Sequence, residues 1–106
     1  MRLKVSYDRR TDGLFVRLSG EVDLSVEEYL SAVLDEATAG QPPPPVVVAD
    51  LSGLRFLDCA GVRVLLRARR LAQGRGCVLS VRDPQPAVER VLRTLQVAEI
   101  LGLSDP

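Results

Sequence analysis

Four side chains in this 106-residue sequence are the main candidates for chemistry: the carboxylates of Asp23 and Asp58 and the thiols of Cys59 and Cys77. A carboxylate pair can act as general acid and base, and a thiol can act as a nucleophile. The sequence has no histidine, the commonest general base and metal ligand, and no phosphate-binding glycine loop. We therefore predict a protein that is not an enzyme, with no metal site and no cofactor, in which both aspartates cap helices or anchor loops.

The two cysteines have different surroundings in the sequence. Cys59 follows Asp58 at the predicted start of a helix, and it is either a small, partly buried side chain without chemistry or a redox-sensing thiol. Cys77 begins a predicted strand and is expected in the core. Their spacing matches no C-x-x-C or zinc pattern. The sequence alone leaves open whether they are close enough to form a disulfide.

The composition limits the partners that the chain can attract by charge. It has 14 basic and 14 acidic residues, so its net charge of zero does not favour nucleic acid or an acidic membrane. Hydrophobic residues make up 46% of the sequence, which suits one core and a single domain over residues 1–106. No apolar run approaches the ~18 residues that span a bilayer, and no signal-peptide segment opens the sequence. We expect a cytoplasmic protein.

Hydrophobic periodicity predicts an α/β domain with a mixed sheet. Two alternating segments on either side of Thr11-Asp12-Gly13 predict an antiparallel hairpin. The β-branched run Val46–Ala49 predicts a central strand that is buried on both faces. A fourth strand is predicted over Cys77–Val81. The element order β-β-α-β-α-β-α then places helices against the sheet.

The same periodicity predicts three helices. Ser25, with Glu28 three residues later, forms a capping-box pattern before the first helix. The second helix is predicted from about Ala60 to Gln73. Asp83, followed by a proline, is predicted to be the N-cap of the third helix.

The most informative stretch joins a strand to the second helix. The strand is predicted to end at Asp50, and a loop leads to the helix start at Asp58. Asp58 is a good N-cap residue, and the backbone N–H groups beside it suit anionic groups. Gly61 is unfavourable in the first turn of a helix, which predicts the close approach of another backbone there.

From Asp50 to Leu66 the sequence resembles the STAS family, whose sigma-regulating members carry a D-L-x-x-apolar-x-[FM]-apolar-D-S-[STA]-G pattern between a strand and a helix. The family's G-E-apolar-D signature is present as Gly20-Glu21-Val22-Asp23, and the weaker apolar-Gly-Leu ending is present as Ile100–Leu103. The resemblance covers nearly the whole chain in order and spacing. It implies a STAS-type fold of the anti-sigma factor antagonist kind.

The resemblance also implies a function in protein–protein binding. Such proteins bind an anti-sigma factor with a histidine-kinase-like ATPase fold and so free a sigma factor for transcription. A partner kinase phosphorylates the serine directly after the aspartate, and the added charge blocks binding. Cys59 occupies that position here, and neighbouring Ala60 has no hydroxyl either. The phosphoserine switch of the family is therefore not expected in this chain.

The implied binding surface combines the segment around Asp23, the start of the second helix and the exposed face of that helix. The expected partner-binding residues are Asp23, Asp58, Cys59, Ala60, Gly61, Arg63 and Arg67. Arg63, Arg67 and Arg70 recur at helical spacing, and such a basic stripe is either a solvated face or a recognition surface.

Two other functions remain open at this stage. Free-standing STAS domains also occur as accessory subunits of ABC-type lipid or solute transporters, which is the main alternative. A thiol-based, redox-responsive regulatory module is the second, although Cys59 and Cys77 lie on separate predicted elements.

Overall fold

A computed structural model describes residues 3–40 and 42–103 of the chain and confirms the predicted order β-β-α-β-α-β-α. The strands are β1 (Leu3–Arg10), β2 (Gly13–Val22), β3 (Val46–Leu57) and β4 (Val78–Arg82). The helices are α1 (Glu27–Thr38), α2 (Cys59–Gly74) and α3 (Pro86–Thr94). Within the described ranges, no helix has the length and apolar character needed to cross a membrane.

The four strands form one sheet in the order β1-β2-β3-β4. β1 and β2 are antiparallel and are joined by the predicted two-residue turn at Thr11 and Asp12. β3 runs parallel to both β2 and β4. Parallel neighbours need a long crossover connection, which α1 and α2 supply. As a result, β2 and β3 end at the same edge of the sheet, and each leads into a helix there.

The central strand β3 is buried on one face only. Val47 and Ala49 are fully buried in the core, whereas Val46 and Val48, on the other face, are only partly buried. The prediction that this strand is buried on both faces is therefore wrong. A run of β-branched residues suits a half-buried strand as well as a fully buried one, so the run could not distinguish the two cases.

Cationic side chains cover part of the second face of the sheet. Phe15, which lies beside Val48 on that face, has the guanidinium carbon of Arg10 at 4.0 Å from its ring centroid and that of Arg82 at 5.5 Å. Arginine stacks well on an aromatic ring while its charge stays in water. These contacts shield the aromatic ring without a second apolar layer.

β3 does not end at Asp50 as predicted, because it continues to pair with β2 as far as Leu57. The pairing passes a bulge, since Arg17 lies opposite Asp50 and Ser19 lies opposite Gly53. A Cβ at Gly53 would lie 2.5 Å from the Ser19 hydroxyl oxygen, so only glycine fits there without a shift. The segment predicted as a loop is thus part of β3. Because of it, β2 and β3 end side by side, at Val22 and Leu57.

The C-terminal ends of α1 and α2 are tied together by Arg75. Its guanidinium donates to Asp35 Oδ1 at 2.8 Å and to Thr38 Oγ1 at 3.0 Å. The Thr38 hydroxyl is buried and donates in turn to the backbone oxygen of Leu34 at 3.0 Å. A buried hydroxyl with both a donor and an acceptor partner is fully satisfied, which fixes the two helices side by side.

α3 begins two residues later than predicted, and Asp83 is not its N-cap. Asp83 has a φ of 55°, in the left-handed region, and Pro86 is the first helical residue. Gln85 occupies the N-cap position without a side-chain bond to the helix, and its amide donates instead to the backbone oxygen of Ser52 at 2.8 Å. The second proline after Asp83, not the first, therefore begins the helix.

The apolar segment after α3 lies beside β4. Val88 and Leu92 of the predicted α3 stripe are buried, whereas Leu95 is 41% exposed. The backbone N–H of Val81 in β4 donates to the backbone oxygen of Leu101 at 2.8 Å, and Leu101 is itself buried. The last apolar segment therefore protects the outer edge of β4.

Candidate functional site

Two aspartates lie at the adjoining ends of two parallel strands. Val22, the last residue of β2, is paired with Leu57, the last residue of β3. Asp23 and Asp58 follow directly, and both are partly buried. The backbone N–H of Asp58 donates to the Val22 oxygen at 3.3 Å, which extends the contact between the two strand ends. The carboxyl edge of the sheet thus brings together two of the predicted site residues.

Asp58 is the N-cap of α2, as predicted. Its backbone is extended, and its Oδ1 accepts a hydrogen bond from the Gly61 N–H at 2.9 Å. This bond satisfies one of the donors that have no partner within the helix. Cys59, the next residue, is exposed, whereas Ala60 and Gly61 are buried. Of the first three helical residues, only Cys59 presents its side chain to solvent.

Gly61 is needed because side chains, and not another backbone, pack against it. A Cβ at this position would lie 2.5 Å from Leu57 Cδ1 and 2.7 Å from Val22 Cγ1. Both distances are too short for real carbon contacts, so any other residue would force a shift in the strand ends. The predicted backbone approach is wrong, and the correct reason is the packing of the helix start onto β2 and β3.

Asp23 organises the other helix start. Its Oδ1 accepts hydrogen bonds from the Ser25 N–H at 2.9 Å and from the Ser25 hydroxyl at 2.5 Å. These bonds hold a one-turn 3-10 helix, Leu24–Val26, ahead of α1. Val26 occupies the N-cap position of α1 and makes no side-chain bond. The predicted capping box of Ser25 and Glu28 is therefore wrong, because the extra turn makes Asp23 the cap and Ser25 a donor.

Two exposed apolar side chains flank this edge, and sequence reasoning missed both. Leu24 is 72% exposed and Phe56 is 49% exposed, although Leu24 directly follows Asp23 and Phe56 stands two residues before Asp58. Phe56 lies opposite Glu21, one step before the strands end. The available signal was that Leu24 stands outside the buried stripe of α1 and that Phe56 occupies an aromatic position of the motif. Large apolar groups in water at a strand end suit a protein contact.

The arginines of α2 extend the site along the helix. Cys59, Arg63 and Arg67 are spaced by four residues, so they lie on one face of α2, and all three are exposed. Arg70 lies one turn further and is exposed as well. Within the described part of the chain, Arg63, Arg67 and Arg70 form no ion pair. Their charges are therefore available to a partner.

The carboxylates and thiols named from the sequence have different surroundings in the structure. Asp23 and Asp58 accept hydrogen bonds from helix starts, and no group of three or more metal-ligating side chains occurs among the described residues. Cys59 and Cys77 are both free thiols, with Cys77 in the core as predicted. Burial raises the pKa of Cys77, against weaker opposing effects of the Val47 backbone and Arg75.

The fold and this edge define a class of protein: an α/β domain in which two carboxylates hold two helix starts and one face of the second helix is exposed. The chain belongs to the STAS family. The model of the family described as "Mlab, STAS domain" matches residues 5–103.

Two curated relatives match almost the whole chain. The anti-sigma F factor antagonist of Paenibacillus polymyxa is 30% identical over 105 residues, which cover 99% of this chain and 89% of the relative. The anti-sigma-F factor antagonist RsfA of Mycobacterium tuberculosis is 24% identical over 99 residues, covering 93% and 77%.

The fold is also that of a solved structure in this family. The unphosphorylated form of the anti-sigma factor antagonist SpoIIAA superimposes with a TM-score of 0.76 over 96% of this chain and 89% of that chain, at 19% sequence identity. The likeness supports the architecture of the sheet and helices.

Proposed function

We propose that the protein is an anti-sigma factor antagonist, a cytoplasmic regulator that binds an anti-sigma factor and so releases a sigma factor. The names of the two curated relatives, together with the length of chain that they cover, support this function over a transporter subunit or a redox module. The partner is an ATPase of the histidine-kinase-like fold, as the family resemblance implies. The role is binding and not catalysis, since both site carboxylates serve the backbone.

The contact surface centres on the exposed start of α2. Cys59, Arg63 and Arg67 form its face, and the partly buried Asp23 and Asp58 lie at its edge. The apolar core of the contact comes from the two exposed residues Leu24 and Phe56. An apolar centre with a charged rim is the usual composition of a protein interface. Ala60 and Gly61 contribute by placing Cys59, because both are buried.

The observation that carries the proposal is the exposure of Cys59 at a capped helix start. A side chain there, in solvent and beside an ordered backbone, is well placed for a rigid partner to contact. Related proteins carry a serine at this position, and its phosphorylation adds about two negative charges. Cys59 keeps the surface uncharged, so we propose that serine phosphorylation at this position does not switch off partner binding in this protein.

Substitution of Cys59 by Asp tests the location of the interface. The new carboxylate would lose its water on binding, which costs about 2–5 kcal/mol and weakens binding roughly 30-fold to several-thousand-fold. Cys59→Ser is the matched control, since it keeps the size without the charge and should bind like the wild type. The measurement is titration calorimetry against the cognate anti-sigma factor, with circular dichroism to verify folding.

A second pair of variants separates the centre of the contact from its rim. Arg67→Glu on α2 should weaken binding less than Cys59→Asp, and in a salt-dependent way, because rim charges are screened. Arg90→Glu makes the same charge change on the exposed side of α3 and should have no effect. If a folded Cys59→Asp variant binds as tightly as the wild type, the start of α2 is not the interface and the proposed function must be abandoned.

A further inference from the structure

The two neighbouring helices α1 and α2 carry opposite charges. α1 contains four acidic residues and no basic one, and α2 contains four basic residues and no acidic one. The acidic residues are Glu27, Glu28, Asp35 and Glu36, and the basic residues are Arg63, Arg67, Arg69 and Arg70. The net charge of zero thus hides a separation of charge between the two helices.

These charges are not neutralised within the molecule. Among the described residues, the ion pair of Asp35 with Arg75 is the one that joins α1 to the end of α2. Glu28 and Arg67 are both exposed and form no ion pair in the described part of the chain. Each helix therefore presents unpaired charge of one sign to solvent.

A groove runs between the two helices. It has a volume of about 310 Å³, and small residues, Ala32 and Ala68, form part of its lining. Glu28 and Arg67 also line it, one from each helix. Arg75, at the end of α2, bonds to Asp35 of α1. Glu28 lies seven residues before Asp35 and Arg67 lies eight before Arg75, so the two are at a similar height along the helix pair. Leu71, which is 43% exposed, adds apolar surface. The groove has an apolar floor between an acidic side and a basic side.

We propose that this face binds a second copy of the chain, with α1 of each copy lying over α2 of the other. A two-fold interface needs a surface that is complementary to itself, and an acidic helix beside a basic one meets that need. The axis runs parallel to the helices, because an axis across them would place α1 on α1 and oppose like charges. Rotation about this axis preserves height, so Glu28 of one copy meets Arg67 of the other.

The dimer also regulates the proposed binding site, and this part rests on the proposed function. Arg63 and Arg67 would be covered in the dimer, and the anti-sigma factor would need the same residues. The two associations therefore exclude one another. The dimer stores the protein in a form that does not bind the partner, and salt weakens the dimer because its contacts are charged.

Exchange of charges across the interface tests the dimer. Arg67→Glu and Glu28→Arg each oppose like charges twice in a two-fold dimer and should raise its dissociation constant at least about tenfold. An equimolar mixture of the two variants pairs opposite charges at both contacts, so the heterodimer should form as tightly as the wild-type dimer. Sedimentation velocity measures these associations, and Arg90→Glu, on α3, is the control.

Different outcomes would contradict the dimer, its two-fold geometry and the proposed function. A wild-type protein that sediments as a monomer at low salt and millimolar concentration overturns the dimer, as does a dimer that survives both reversals. A mixture that stays monomeric overturns the two-fold geometry.

Glu28→Arg, which leaves the proposed partner-binding residues intact, should bind the anti-sigma factor more tightly than the wild type does. If this variant is monomeric yet binds no anti-sigma factor, the proposed function fails while the dimer stands.

Discussion

The two helix starts at the carboxyl edge of the sheet have the same first residue and different architectures. Asp58 follows β3 and leads at once into α2, whereas Asp23 follows β2 and leads first into the 3-10 turn Leu24–Val26. Asp58 bonds the backbone three residues on, and Asp23 bonds the backbone two residues on. The start of α2 is packed against the sheet, whereas the 3-10 turn before α1 leaves Leu24 exposed to solvent.

The difference shows how one edge of a sheet can supply both rigidity and a contact surface. The start of α2 is locked because Gly61 packs on the ends of both strands. The start of α1 is held by one carboxylate and its two bonds to Ser25. We infer that the first gives the edge its shape and that the second supplies an exposed apolar group.

Gly61→Ala should produce the largest loss of stability. The new methyl group would meet Leu57 and Val22 at distances that force both side chains to move. Overpacking of this kind costs about 1–3 kcal/mol, and the better helix propensity of alanine returns up to about 1 kcal/mol. We expect a net loss of about 1–2 kcal/mol in the free energy of unfolding, measured by urea denaturation.

Gly74→Ala makes the same chemical change at the other end of α2 and serves as the control. No atom would lie within 4 Å of a Cβ at that position. The variant should therefore gain about 0.5 kcal/mol of stability, because alanine has less backbone freedom to lose. Equal effects of the two substitutions would mean that packing at Gly61 does not hold the start of α2.

Removal of each cap should cost less stability than Gly61→Ala, and the cost should differ between the two helix starts. Asp58→Ala should cost about 1 kcal/mol, since it removes the cap of a long helix, while Asp58→Asn should retain most of the stability. Asp23→Ala should cost less, about 0.5 kcal/mol, because it caps only one turn. Urea denaturation gives the stabilities. If Asp23→Ala lost as much stability as Asp58→Ala, the two helix starts would not differ in rigidity as we infer.

Periodicity predicted the order of elements and the cap at Asp58, because both depend on local preferences. The pattern could not predict that β3 continues through Arg55 and Phe56, since that depends on pairing with β2 across the bulge. The same limit explains Asp83, whose helix starts at Pro86 because the backbone first turns through a left-handed conformation.

The residues of the candidate site were named from the sequence, whereas two of their neighbours were not. Asp23, Asp58 and Cys59 stand in a recognisable motif, and the structure brings them to one edge of the sheet. Leu24 and Phe56 were missed because their exposure depends on which face of the chain the core covers. A sequence gives the apolar character of a residue, whereas its exposure is a property of the packed tertiary structure.

Cys77, the residue before β4, gives the smallest expected effect, on stability at alkaline pH. Burial raises the pKa of Cys77 above that of an unfolded thiol, which is about 8.5. Between these two pKa values the folded state holds more protons than the unfolded state, so the free energy of unfolding falls as the pH rises through that window and is constant below it. Cys77→Ala should remove this decline, whatever its effect on stability at neutral pH. Tyr7, whose pKa is also raised by burial and by the charge of Glu36, adds a decline that starts higher, at about pH 10. Urea denaturation at a series of pH values distinguishes the two, and an unchanged decline near about pH 8.5 in Cys77→Ala would show that its burial does not shift the balance.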